Sequence, residues 1–215
     1  MEVLFIRHGQ TRANQLHRHQ PDDEPLATAG IEHTQALLPA LTAWRPTHII
    51  SSPLARAHAT AMLIAKHVQL PLESSDLFRE LRRPRSIQGT SHYSMATVRY
   101  IWRWFYQLDS AYDDLARGES YGALQQRVWQ ARQFLESRYP ADARVIVVSH
   151  SVFINFFVEH VCRQEHLSFW RAVPRFIRIL TLDNGNATLL RYESTADNTC
   201  PWTVLATDTP VEKLT

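Results

Sequence analysis

Short uninterrupted apolar runs alternate along the chain with longer stretches in which apolar residues recur at helical spacing, and these two periods separate strands from helices. The first run, Val3 to Ile6, stops abruptly at Arg7-His8-Gly9. It predicts a buried strand that delivers polar side chains at its C-terminal end. Pro25-Leu26-Ala27-Thr28 then leads into an amphipathic stretch from Ile31 to Leu41, with Thr28 placed to act as N-cap. The unit repeats in His48-Ile49-Ile50, which predicts a strand, and Ser51-Ser52-Pro53, which opens a helix running to Val68 with Pro53 in its first turn. Arg144 to Val148 reads as the clearest buried strand, closed by Ser149-His150-Ser151 before an apolar helical stretch from Val152 to Val161. This alternation predicts an α/β fold, a three-layer α/β/α sandwich around a mostly parallel sheet.

The alternation breaks between Glu80 and Gly118. That segment is first basic (Arg79, Arg82, Arg83, Arg85) and then aromatic (Tyr100, Trp102, Trp104, Phe105, Tyr106). It predicts a helical insertion, at residues 82–117, within a single domain spanning residues 1–215. The aromatic stripe is read as the insertion's own core. Phe176 to Leu182 and Ala187 to Tyr192, joined around Asp183-Asn184-Gly185-Asn186, predict a terminal hairpin. Beyond Glu193 no pattern is readable.

Composition narrows the partners. A chain of 215 residues, 45% hydrophobic and 20% charged, is long enough to bury one sizeable core. The net charge of +2 comes from scattered Lys and Arg, which points away from nucleic acid and membrane surfaces and makes any anion specificity local. No segment approaches the roughly 20 apolar residues of a membrane span. The N-terminal apolar run is short and lacks a basic flank, unlike a signal peptide. Cys162 and Cys200 are far apart with no CxxC spacing, which suggests neither a disulfide framework nor a zinc site and fits a reducing compartment. A cytoplasmic protein is expected. The oligomeric state is not readable.

The eleven histidines include no HExxH frame and none beside carboxylates at metal-ligand spacing, so no metal or other cofactor is assigned. His17, His19, His33, His48, His58, His67, His92, His160 and His166 are read as surface or packing residues. The other two end predicted strands. If the sheet is parallel, Arg7 with His8, Arg56 one helical turn beyond Ser51-Ser52-Pro53, and His150 converge on one crevice. Two guanidiniums and two imidazoles there suit a tetrahedral dianion, since the Arg fork matches phosphate oxygens, and such a donor set points to phosphoryl transfer by positioning. A neutral imidazole, with an ordinary pKa of ~6.5, is a nucleophile that needs no separate base, and His8 sits directly at a strand end. Ser51, Ser52 and Ser149 would each need a base, and no GxSxG elbow is present. Cys162 is read as an inert thiol buried in an apolar helix.

The motifs fall in a recognisable order. Leu4-Phe5-Ile6-Arg7-His8-Gly9-Gln10-Thr11-Arg12-Ala13-Asn14 resembles the RHG signature, with trailing Thr and Asn, of the histidine phosphatase (phosphoglycerate-mutase-like) family. Leu26-Ala27-Thr28-Ala29-Gly30 resembles its L-T-x-x-G segment, and Ser51 to Ala61 is similar to its S-S-P-x-x-R-A-x-x-T-A helix. Gly118-Glu119-Ser120 and Val148-Ser149-His150 resemble its G-E-S element and second-histidine strand end. RHG alone is a weak signal, and the ordered set is specific.

The resemblance implies a phosphatase that hydrolyses a small-molecule phosphate monoester through a phosphohistidine at His8. Arg7, Arg56 and His150 would bind the transferring group, Glu80 would protonate the departing oxygen, and Gln10, Thr11 and Asn14 would line the pocket mouth. Three departures from the family pattern stand out. Ser151 follows the second histidine where Gly is common, and Arg82-Arg83-Pro84-Arg85 replaces the W-x-G segment usual in mutases. The His-Asp pair of the phytase-like branch is absent. Hydrolysis is therefore expected ahead of a phosphoglycerate-type mutase reaction, with a catalytically idle binding or scaffold protein as a third reading. Arg82, Arg83 and Arg85 are either a contact for a second anionic group or solvated surface.

Overall fold

The computed structural model describes residues 1–106, 113–114, 118–163, 186–194 and 200–214. Along the chain these form β1 (Glu2–Arg7), α1 (Arg12–Gln15), α2 (Thr28–Ala43), β2 (His48–Ser51), α3 (Ala55–Val68), β3 (Leu72–Ser74) and α4 (Met95–Tyr106). A short pair, β4 (Asp113–Asp114) and β5 (Gly118–Glu119), precedes α5 (Tyr121–Arg138), β6 (Arg144–Ser149), α6 (Ser151–His160), β7 (Ala187–Tyr192) and β8 (Trp202–Thr209).

The six-stranded sheet has the order β3-β2-β6-β1-β7-β8. The first four strands are parallel, with Glu2 paired to Arg144 and Arg7 to Ser149, and with Ser51 opposite Val148. β7 and β8 run antiparallel at the other edge. Because side chains alternate across a strand, a run such as Val3-Leu4-Phe5-Ile6 is apolar throughout only if both faces are covered. Val3, Phe5, Val145 and Val147 pack with α5, α6 and Phe78, whereas Leu4, Ile6, Ile146 and Val148 pack with residues of α2 and α3. The sheet is the middle of three layers, and Arg7, Ser51 and Ser149 end three adjacent parallel strands at one edge.

Several local expectations are corrected. Thr28 is the first residue of α2, and the N-cap is Ala27, which makes no side-chain cap bond. Pro53 lies ahead of α3, whose N-cap is Leu54. The Phe176 to Leu182 arm of the expected hairpin lies outside the described residues. β7 pairs with β1 and with β8, a strand drawn from the tail that carried no readable pattern. The insertion holds a helix, α4, in which Trp104 and Phe105 are buried and Trp102 is exposed. Cys162 is not buried inside a helix: it lies just past the end of α6, at the surface, and is joined to Cys200 in a disulfide. Low Cys count and wide spacing hid this pair, because the tertiary fold brings together residues 38 apart in sequence. The free-thiol argument for a reducing compartment falls with it. Among the described residues no helix is long and apolar enough to cross a membrane.

Candidate active site

At the end of β1 the ladder runs one residue further, with the His8 N–H donating to the Ser149 carbonyl at 3.0 Å. The chain then turns hard against α2. A Cβ on Gly9 would stand 2.7 Å from the Gly30 carbonyl oxygen, and one on Gly30 would stand 2.2 Å from that of Gln10, so only glycine allows this approach. The Ala27 N–H donates to the Gln10 carbonyl at 2.9 Å, and the Gly9 N–H to Thr60 Oγ1 of α3 at 3.0 Å. His8 is thereby buried with its Nδ1 2.7 Å from the Gly9 carbonyl oxygen.

β6 ends at Ser149, whose hydroxyl donates to the Phe78 carbonyl at 2.7 Å. The next residue, His150, is the buried N-cap of α6. Its Nε2 meets Ser52 Oγ at 2.8 Å, and its buried Nδ1 has no hydrogen-bond partner among the described residues. The rings of His8 and His150 lie 5.0 Å apart. Arg56, in the first turn of α3, is buried with Nη1 donating to the Pro21 carbonyl at 2.8 Å. Arg7 is half-buried at the strand end.

This crowding of cations sets the protonation states. Burial, followed by the charges of Arg56 and Arg7, holds His8 well below its ordinary range, against the opposing effect of the Gly9 bond. His150 is lowered by burial, then by Arg56, His8, Arg127 and Arg7. Burial brings Arg56 down to about 10, with Glu80 opposing, which still leaves it charged at neutral pH. The pocket thus holds two neutral imidazoles among guanidiniums, an environment that favours a bound dianion.

Glu80 lies beside the N-terminus of α6. Its Oε1 accepts from the backbone N–H of Leu81 at 2.9 Å and of Phe153 at 3.3 Å. The loop that carries it is held by a buried ion pair on neighbouring elements. Arg127 of α5 makes a two-pronged contact with Glu119, Nε to Oε1 and Nη2 to Oε2, both 2.7 Å. The remaining Arg127 nitrogen, Nη1, donates to the carbonyls of Leu77 at 3.1 Å and Arg79 at 2.7 Å. Glu119 also bonds Arg82 twice, accepting from its N–H at 3.2 Å and donating its own N–H to its carbonyl at 2.7 Å. The pair therefore grips the chain on both sides of Glu80.

Arg7, His8, Arg56, His150 and Glu80 gather at the C-terminal edge of the parallel strands. Thr11 and Asn14 are engaged locally: Thr11 caps α1 and forms a capping box with Asn14, and Gln20 donates to the Thr11 hydroxyl at 2.8 Å. The Gln10 amide oxygen accepts from Gln15 at 3.0 Å. Sequence reasoning missed Ser52 as the partner of His150, Thr60 as the support of Gly9, and Arg127. Ser52 and Thr60 stand in the S-S-P-x-x-R-A-x-x-T-A stretch, which could have flagged them. Arg127 stands in an ordinary polar stretch that offers no signal.

Residues 3–195 match the family model of the histidine phosphatase superfamily, branch 1, and the chain belongs to that family. A relative from Shigella boydii named "Probable phosphoglycerate mutase GpmB" is 27% identical over 207 residues, covering 95% of this chain and 91% of the relative. Its namesake from Serratia proteamaculans is 26% identical over 164 residues, 75% of this chain and 74% of its own length. Among solved structures, a mycobacterial glucosyl-3-phosphoglycerate phosphatase complexed with VO3 superposes with a TM-score of 0.72 at 22% identity, covering 97% of this chain and 99% of its own. The alpha-ribazole phosphatase of Shigella flexneri gives 0.70 at 21% identity, covering 98% of each chain.

Proposed function

We propose that this chain is a metal-independent phosphatase acting on a small-molecule phosphate monoester through a covalent phosphohistidine. The observation that carries the reading is the buried His8–His150 pair, 5.0 Å between rings, set among Arg7 and Arg56. His8 Nε2 attacks phosphorus as the P–O ester bond breaks, and Glu80 gives its proton to the departing alkoxide. Arg7, Arg56 and His150 hold the phosphoryl oxygens as charge shifts between the two ends. Water then attacks the phosphohistidine, the Glu80 carboxylate takes its proton, and inorganic phosphate leaves with His8 restored. Gln10, Thr11 and Asn14 shape the mouth of the pocket.

Quenching the protein without acid after exposure to labelled substrate tests this directly. An acid-labile, alkali-stable phosphoprotein should form, and it should vanish in His8→Ala. Label that survives the substitution overturns the reading. Vanadate should inhibit, and chelators should leave the rate unchanged, because the arginines and histidines supply the positive charge a metal would bring. The names of the sequence relatives favour one second reading, a phosphoglycerate-type mutase. Incubation with 3-phosphoglycerate, with and without bisphosphoglycerate, separates the two: free phosphate marks the phosphatase and 2-phosphoglycerate the mutase.

A further inference from the structure

We propose that Ser52 is a positioning residue for phosphoryl transfer: its hydroxyl donates to His150 Nε2 and so confines the proton of the neutral ring to Nδ1, the nitrogen that then donates to a phosphoryl oxygen. This deepens the phosphatase reading above and rests on it. Ser52 is placed by the same sheet that places the two histidines. It follows β2 directly, and its N–H extends the ladder to the Val148 carbonyl of β6 at 2.9 Å. His150 comes just beyond the end of β6. Both residues are fully buried, so each of their polar atoms has to find its partner in the protein or in a ligand.

The available partners favour one arrangement. Ser52 Oγ takes the Leu54 N–H at 3.3 Å and meets His150 Nε2 at 2.8 Å. A hydroxyl has one proton to give, and among the described residues His150 Nε2 is the acceptor Ser52 reaches. Were the ring protonated on Nε2, it would donate to Ser52, the hydroxyl proton would have no acceptor there, and Nδ1 would be a buried lone pair without a donor. With the hydroxyl donating, Nε2 is satisfied and Nδ1 carries the proton. That nitrogen is buried and has no hydrogen-bond partner among the described residues. A buried donor left unpaired is costly. The His8 ring lies 5.0 Å from that of His150, so an oxygen of a phosphoryl group in transfer to His8 is the acceptor that suits it.

The two rings are thus set by opposite devices. The Gly9 carbonyl accepts from His8 Nδ1 and leaves Nε2 as a lone pair for attack, whereas the Ser52 hydroxyl gives to His150 Nε2 and keeps Nδ1 as a donor. Through Leu54, the N-cap of α3, the same serine ties His150 to the helix whose first turn carries Arg56. Two of the groups assigned to the phosphoryl oxygens are therefore held to each other.

Heteronuclear NMR on ring-labelled histidine reads the tautomer without any substitution: near neutral pH, His150 should carry its proton on Nδ1. On p-nitrophenyl phosphate, whose leaving group needs no acid, Ser52→Ala should lower kcat/KM by roughly tenfold and weaken vanadate inhibition by a similar factor. Ser52→Thr keeps the hydroxyl and should recover most of the loss. In a double-mutant cycle the Ser52→Ala loss should vanish on a His150→Ala background, because the serine acts through that ring; a role in folding alone would lower the rate there too. A ring protonated on Nε2 in the wild-type protein overturns the proposal, as does a Ser52→Ala loss that persists in full without His150. The phosphatase reading fails separately, if the wild-type protein hydrolyses no phosphate ester. An active protein with the Nε2 tautomer keeps that reading and rejects the role of Ser52.

Discussion

The Nδ1 of His8 stands 2.7 Å from the Gly9 carbonyl, and because a carbonyl oxygen only accepts, the proton of the neutral ring is held on Nδ1. The lone pair is therefore on Nε2, the nitrogen assigned to attack. Burial and the charges of Arg56 and Arg7 keep the ring neutral, so an NMR titration of the free protein should find His8 unprotonated well below pH 6.5. A midpoint at or above 6.5 would mean that the pocket does not exert this field. Glu80 has a different signature, because an acid matters only when the leaving oxygen is too basic to depart unaided. Glu80→Gln should slow alkyl phosphate hydrolysis by roughly 10²- to 10⁴-fold and p-nitrophenyl phosphate far less. Equal losses on both substrates would reassign Glu80 to phosphate positioning or to the fold.

The loop from Leu77 to Arg82 belongs to no helix or strand long enough to stiffen it, and its shape is imposed by α5 and β5. Arg127 bonds the Leu77 and Arg79 carbonyls while Glu119 bonds Arg82. Removing one partner of a buried pair leaves the other charge uncompensated, at about 3–5 kcal/mol. Arg127→Met should therefore lower the melting temperature and also reproduce the leaving-group bias of Glu80→Gln; thermal unfolding and the ratio of rates on the two substrate types measure each effect. A melting change without that bias would make the clamp purely architectural. The clamp also marks the limit of what was legible in the sequence. Strand ends such as Arg7-His8 and Ser149-His150 could be read because an apolar run buried on both sheet faces stops at a polar residue. Arg127 could not, since the two bonds that tie it to this loop go to backbone carbonyls 48 and 50 residues away, which carry no side-chain signal. β8 was hidden for a related reason: as the edge strand it leaves Val204 and Leu205 exposed beside each other, so its apolar residues do not alternate with polar ones or mark one buried face.

Across the whole molecule, the sheet with its two covered faces carries the site, and the disulfide ties the end of α6 to the segment entering β8. The untreated protein should show no thiol reactive with Ellman's reagent, and two after reduction. Cys162→Ser should cost about 2–4 kcal/mol of stability, measured by denaturant unfolding. Acid sensitivity is a second property of the whole chain, because four histidines, His8, His19, His92 and His150, have lowered proton affinity when folded. Between their folded values and the ordinary ~6.5, the unfolded chain binds protons that the folded chain refuses, so stability rises with pH in that window and is lost as pH falls through it. The window opens near pH 6.5 and reaches down to about 4 for His92 and about 3 for His19. Calorimetric melting temperatures should therefore decline already between pH 6.5 and 5. Vanadate should raise the melting temperature throughout that range by binding only the folded site. A melting temperature that stays level from pH 7 to 5 would show that these imidazoles protonate as freely in the folded protein as in water, and the neutral His8 on which the nucleophile assignment depends would have to be abandoned.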